Sequence, residues 1–343
     1  MTVPFWAWAL TVAAIVAMLA VDYVGHVRTP HAPTLREAAR WSAIYVGVAV
    51  AFGALVWLVW GAEYGGEYFA GYVTEKSLSV DNLFVFVLIM SSFRVPREYQ
   101  QKVLLVGVTV ALVLRTTFIV AGAALIATFS WVFYLFGAFL VWTAIAQLRH
   151  ANDHDEEFHE NGVLRFVRRV LPTSSAYAGD RLTTRSDGRL LITPMLVVMI
   201  AIGSADLLFA VDSIPAIFGL TEQTFLVFAA NAFSLLGLRQ LFFLVDGLLD
   251  RLVYLGYGLA AILGFIGVKL LVHALHTNEL PFVNSGRHVT LVPEIPTAAS
   301  LGFIVVVLAV TTFASLQRDR RVRALAAAHP QAGARAVPQS KER

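Results

Sequence analysis

The sequence contains no cysteine, so it can form no disulfide, thiolate metal site or iron–sulfur cluster of its own. It is also short of charge. Only 14% of its 343 residues are Asp, Glu, Lys or Arg, against roughly 25% in a soluble domain. So few charges cannot cover the surface of a water-soluble fold of this size. The same composition excludes disordered and collagen-like chains, and the lack of short alternating strands excludes an outer-membrane barrel. No Walker A, His-Glu-x-x-His or Gly-x-Ser-x-Gly pattern occurs. The chain is therefore read as a non-enzyme without ATP drive of its own.

What is abundant is apolar. Hydrophobic residues make up 58% of the chain and aromatics 12%, and the mean hydropathy is +0.70. Runs of about 20 apolar residues, enough to cross a hydrocarbon core, fall at Pro4–Val24, Trp41–Trp60, Phe69–Ser91, Val103–Ala127, Trp131–Leu148, Leu190–Ile217, Phe225–Leu244, Leu252–Leu275 and Ser300–Leu316. The expected fold is an all-α polytopic membrane protein of nine transmembrane helices. Residues 1–148 hold helices 1–5, 149–189 form a cytoplasmic linker, 190–316 hold helices 6–9, and 317–343 form a disordered tail rich in Ala, Arg and Pro.

The pI near 9.2 invites a nucleic-acid reading, but the basic residues lie where membrane topology places them. The loops at 25–40, 93–102, 149–189 and 245–251 and the tail from 317 hold 3, 3, 7, 1 and 7 of them, 21 of the 26. The opposite loops hold only Arg287. Positive residues accumulate on the cytoplasmic side, so the N-terminus is expected outside the cell membrane and the C-terminus inside, with no nucleic-acid partner. The first apolar run has no basic n-region and is followed by Arg28, Arg36 and Arg40, which reads as an anchor rather than a cleaved signal.

Two segments place carboxylates inside spans. Glu75-Lys-Ser-Leu-Ser-Val-Asp81-Asn82 and Asp206-Leu-Leu-Phe-Ala-Val-Asp212-Ser213 share one pattern, 131 residues apart. An in-span arginine follows each, Arg115 and Arg239. Helices 3–5 and 6–8 are thus expected to be two three-helix repeats, and an odd number of crossings makes such repeats inverted. Inversion brings the four carboxylates toward one midplane region. Ionised carboxylates in hydrocarbon are normally paired, protonated or cation-bound. Six residues apart is not one helix face, so either the helix is irregular there or the two acids reach the site from different sides. Pro215 frees the Val211 carbonyl, and Ser77, Ser79, Asn82 and Ser213 add neutral oxygens. An all-oxygen set suits Mg²⁺, Ca²⁺ or Mn²⁺. The competing reading is structural: the acids form buried ion pairs with Lys76, Arg115 and Arg239.

At these motifs the sequence resembles the TerC/Alx family of integral membrane proteins, within the wider LysE-type transporter group. The resemblance runs through Asn231 to Arg239, the Tyr257-to-Lys269 stretch and the linker's RFVRRVLP. It implies divalent-cation export, chiefly of manganese, with links to tellurium resistance and alkaline-pH response. It also implies that Glu75, Asp81, Asn82, Asp206, Asp212 and Ser213 are the metal-site residues, with Lys76, Ser79, Arg115 and Arg239 in support. Many relatives have a glutamate three residues before the first aspartate of the second motif, where this chain has Gly203.

The function expected is a secondary transporter that exports a divalent metal cation, first Mn²⁺, in exchange for protons, with no permanently bound cofactor. The alternative is a scaffold or accessory subunit in tellurite or envelope-stress resistance. Secondary features are the acidic, His-rich run from His150 to Glu160, read as a solvated loop with a metal funnel as the lesser alternative, Asp246 and Asp250 beside Arg251 as helix-end charges, and Asp22 as an interfacial charge. His273 and His276 are expected near the outer exit, Lys269 is expected to snorkel outward, and Gly256, Gly258, Gly264 and Gly267 to serve close helix packing.

Overall fold

The structure is a computed structural model. It describes every residue except 28–32, 151–168, 170–172, 175, 176, 178, 187, 188, 246–252, 282, 285, 286, 290, 291 and 329–343. The acidic run after His150, read as a solvated loop or a metal funnel, lies outside the described residues, as do Asp246, Asp250 and Arg251. The helices are α1 (Phe5–Asp22), α2 (Leu35–Trp60), α3 (Ala62–Ser92), α4 (Arg97–Thr128), α5 (Val132–His150), α6 (Pro194–Phe218), α7 (Thr224–Leu236), α8 (Leu238–Val245), α9 (Leu255–His276) and α10 (Thr297–Ala328). Among the described residues, eight helices are long and apolar enough to cross a membrane, α7 and α8 counting as one. This is an all-α polytopic membrane protein. The 31-residue α3 is not among the eight: it carries Glu63, Glu67, Glu75, Lys76 and Asp81, which lower its hydropathy below that of its neighbours.

Local chemistry sets the boundaries. Thr34 caps α2 by accepting the Glu37 N–H at 3.3 Å, with Glu37 three residues on as in a capping box. Thr193 precedes α6 and Pro194 opens it, where the missing N–H of proline costs nothing. The apolar run expected to be helical from Leu190 therefore begins later. Arg189–Ile192 instead pairs antiparallel with Thr183–Ser186 in a two-stranded hairpin, β1 and β2. The tail also departs from expectation, since α10 continues past Leu316 to Ala328. Its LQRDRRVRALAAA stretch is built from strong helix formers.

Burial sorts the helices. Every residue of α7 from Phe225 to Leu236 is buried, as are Ala205, Asp206, Ala210 and the Ser213–Phe218 stretch of α6, whose Leu208 and Val211 face outward. In contrast α1, α2 and α10 leave most of their apolar side chains exposed, which is what lipid-facing helices of a bundle do. The closest pair is α5 with α9. A Cβ on Gly267 would stand 2.9 Å from the Gly137 carbonyl oxygen and 3.0 Å from the Val141 backbone nitrogen, so the two backbones meet through glycine. Gly258 likewise packs against Thr311 and Gly264 against Ala144.

Loop contacts divide the connections between two ends of the bundle. At one end Trp60 Nε1 donates to the Thr2 carbonyl at 3.4 Å, Ser130 Oγ bonds Glu279 at 3.1 Å, and Thr221 Oγ1 bonds Glu67 at 2.5 Å. At the other, Tyr177 donates to the Phe93 carbonyl at 2.9 Å and Lys102 Nζ meets Asp180 Oδ2 at 2.7 Å. That lysine holds the Asp180 carboxyl below its ordinary range.

Candidate functional site

The charged centre lies where α3, α4 and α6 meet. Arg115, in mid-α4, is fully buried. Its Nε and Nη2 donate to Asp206 Oδ2 and Oδ1 at 2.9 and 3.0 Å, a bidentate fork that is among the strongest side-chain pairings. Its Nη1 donates to Glu75 Oε1 and, at 3.1 Å, to Ser213 Oγ. The Asn82 amide, oriented by its neighbours, donates to the Leu78 carbonyl at 3.1 Å and accepts from Arg115 Nη2 at 3.2 Å. All five N–H groups of the guanidinium are therefore occupied. Glu75 and Asp206 are 0% and 1% exposed, so the pairing takes place out of water.

Helix periodicity explains which motif residues converge. Both α3 and α6 are continuous α-helices through their motifs, so of the two alternatives left by the six-residue spacing the irregular helix is not found. At about 100° per residue, positions seven apart share a face and positions six apart diverge by about 120°. Glu75 with Asn82, and Asp206 with Ser213, are the seven-apart pairs. These four face Arg115. Asp212 is half-buried on another side of α6, one turn from Pro215, and has interactions of its own. Asp81 sits on α3 with its side chain outside the described residues. Among the described residues no three His, Asp or Glu side chains are gathered into a metal-ligating cluster. Glu75 Oε2, Ser79 Oγ and Thr74 Oγ1 are buried without a hydrogen-bond partner, and Ser77 is turned back onto the Val73 carbonyl at 2.6 Å.

The other supporting bases are placed differently from expectation. Lys76 feels the neighbouring Glu75 charge, but its Nζ donates to the Ser234 carbonyl at 3.0 Å, beside Gly237, where a Cβ would come within 2.9 Å of it. That glycine also separates α7 from α8. Arg239 does not mirror Arg115. Its Nη2 donates to Asp22 Oδ1 at 2.7 Å and its Nη1 to Gln101 Oε1 at 3.1 Å. Gln240 Nε2 bonds Asp22 at 3.2 Å, and the Tyr45 hydroxyl lies beside it. Asp22 is thus 1% exposed rather than interfacial: four helices close over it because a buried arginine neutralises it. Gly203 is buried against Val110 of α4, whose Cγ1 would lie 3.4 Å from an added Cβ. A glutamate there would press on α4 one turn from the charged centre.

A second polar region opens at the end of the bundle that holds Thr2 and Trp60. A cavity of about 910 Å³ is lined by Glu63, Glu67, Thr221, Glu222, Lys269, His273 and Glu294 among others. His273 Nε2 lies 2.9 Å from Glu222 and Nδ1 3.3 Å from Glu294. The hydrogen bond from His273 holds the Glu222 carboxyl below its usual range. Lys269 reaches into this cavity and His276 faces Glu294 at 3.4 Å. The four glutamates of this cavity carry no repeated motif, and their only sequence signal is their place in loops or at helix ends on one side of the bundle.

A polytopic helical bundle with an arginine-centred carboxylate cluster at the junction of its buried helices is an integral membrane protein with a polar core. The sequence profile of the integral membrane protein TerC family matches residues 60–323, and the chain belongs to that family. A membrane protein of Mycobacterium bovis, described as uncharacterized, is 54% identical over 326 residues, covering 94% of this chain and 82% of its own. A Myxococcus xanthus membrane protein is 40% identical, covering 91% and 92%. Alx of Escherichia coli (strain K12), provisionally named a membrane-bound redox modulator, is 36% identical, covering 89% and 92%. No solved structure matches the chain.

Proposed function

We propose that the protein is a secondary transporter of the cell membrane that exports a divalent metal cation, first Mn²⁺ and then Mg²⁺ or Ca²⁺. The observation that carries this reading is the pair of water-excluded carboxylates, Glu75 and Asp206, brought from two distant motifs to one point with the Asn82 and Ser213 oxygens. Buried acids on two similar segments mark a path more often than a brace, and hard oxygen donors without sulfur suit these ions. Asp81 and Asp212 complete the proposed set as the helices move. The 910 Å³ acidic cavity supports the reading as the outer mouth, since its glutamates raise the local concentration of cations.

On this reading α3 is a ninth crossing, which the assignment of loops to two ends supports. The N-terminus then lies outside, and the linker and C-terminus lie in the cytoplasm. Helices α3–α5 and α6–α9 form two inverted repeats that rock about the carboxylates, with protons as the coupling ion. The redox description of Alx finds no thiol in this chain. The test is Mn²⁺ efflux from proteoliposomes. Glu75→Gln and Asp206→Asn are expected to lower the rate at least tenfold. Equal rates in wild type and both variants would remove the carboxylates from the path. No flux in wild type would favour the scaffold role in tellurite or envelope stress.

A further inference from the structure

The guanidinium of Arg115 stands where a cargo cation would have to stand. It uses Glu75 Oε1, both Asp206 oxygens, the Ser213 hydroxyl and the Asn82 amide oxygen, which are the oxygens proposed to bind the metal. A cation and the guanidinium cannot hold these atoms together. Glu75 Oε2 is buried without a hydrogen-bond partner, so the site keeps one oxygen that the guanidinium does not use and a cation could. Arginine stays protonated throughout the physiological range. Its charge is therefore permanent, and it belongs to the chain.

Resting on the transporter reading, we infer that Arg115 is a tethered counter-cation: it takes the carboxylates when cargo leaves and is displaced from them when cargo binds. The cycle that follows differs from simple metal–proton exchange at these carboxylates. A carrier whose empty site is neutralised by protons must pick them up to return. A carrier neutralised by its own arginine returns without them. Protons, where they couple, then act at other groups. The second in-span arginine does not share this role, because Asp22 and Gln101 already hold it.

The experiment compares two fluxes in proteoliposomes of the full chain loaded with Mn²⁺. Net efflux into metal-free medium requires the empty carrier to return, whereas exchange of labelled for unlabelled Mn²⁺ does not. Arg115→Gln is expected to keep exchange within about threefold of wild type and to lose net efflux at least tenfold. Mn²⁺ binding to the same variant in detergent is expected to tighten at least tenfold, because the competing cation is gone. Arg115→Lys preserves the charge but offers three donors instead of five; it should retain net efflux and tighten Mn²⁺ binding by a smaller factor. It also decides the matter if the glutamine variant does not fold. Parallel loss of net and exchange flux in Arg115→Gln with unchanged or weaker Mn²⁺ binding would overturn the inference, as would unchanged binding in Arg115→Lys. Either result leaves the transporter reading intact as long as wild type carries Mn²⁺. Absence of Mn²⁺ flux and binding in wild type would instead end both.

Discussion

Replacing Asp22 removes one charge of a pair that no water reaches. The Arg239 and Asp22 side chains are 3% and 2% exposed and their contact is 2.7 Å. Without the carboxylate, Arg239 keeps only Gln101 as its partner among these, and Gln240 and Tyr45 lose their shared acceptor. Breaking a buried pair from one side costs about 3–5 kcal/mol, because the remaining charge is left unpaired. Asp22→Asn keeps the shape and one acceptor, so it belongs at the lower end of that range, and Asp22→Ala at the upper. Removing both charges is a different perturbation. The Asp22→Leu, Arg239→Met double variant leaves no orphaned ion, only the Gln240, Tyr45 and Gln101 groups that lose a partner, and is expected to recover about 1–2 kcal/mol relative to Asp22→Ala, because the unpaired charge is gone. Reversible unfolding in mixed detergent micelles compares these proteins, and the single variants Asp22→Leu and Arg239→Met close the cycle that isolates the coupling between the two sites. If Asp22→Ala unfolds with wild-type stability, or if the double variant is no better than Asp22→Ala, the pair does not hold α1 to α8 and this reasoning is wrong.

Elsewhere the geometry gives sharp expectations. Gly267→Leu drives a side chain into the Gly137 carbonyl 2.9 Å from the new Cβ; it should destabilise by at least the 1–3 kcal/mol typical of overpacking and separate α5 from α9, read as a fall in unfolding midpoint, whereas a midpoint equal to wild type would show that the helices are not in contact there. Glu222 is the pH-sensitive case. Its carboxyl titrates below the ordinary range because His273 donates to it, so its contribution is present above the unfolded-state value of about 4.3 and disappears as pH falls through the lower folded value. With its side chain 54% exposed, the contribution is under about 1 kcal/mol. The stability gap between wild type and Glu222→Gln should be open at about pH 5 and close below about 4; a gap that widens between about pH 5 and 3 would reverse the assignment.

How far the sequence led depends on the kind of signal. The apolar runs announced the bundle because lipid demands about 20 such residues in a row. The repeated motifs announced the charged centre, since ionisable residues inside spans have few uses. The spacing was informative twice over: the six-residue interval between Glu75 and Asp81 pointed to distortion or to approach from different sides, while the seven-residue intervals to Asn82 and Ser213 held the register by which regular helices bring those side chains to Arg115. Asp22 was misread because its partner, Arg239, lies 217 residues away on a helix whose start is fixed by a glycine break, and local sequence carries no trace of such a contact. The hairpin at Thr183–Ile192 was hidden for another reason. Leu190, Leu191 and Ile192 are as apolar as the helix that follows, and only Thr193-Pro194 marks where the helix begins.

The charges of α3 also bear on the order in which the chain enters the bilayer. Glu75 emerges from the ribosome forty residues before Arg115 and about 130 before Asp206. A helix with five ionisable residues partitions poorly by itself, each central charge opposing insertion by about 2.5–3.5 kcal/mol. A single residue, Gly61 with φ of 103°, separates it from the strongly apolar α2, so on the proposed nine-crossing reading the two enter as one hairpin. Arg115 of α4 is the first synthesised of the side chains that hydrogen-bond Glu75, and Asp206 joins it only after the long linker has passed. Biogenesis then assembles this core from the arginine outward, and a chain that loses Arg115 faces its first difficulty at the translocon, before transport begins.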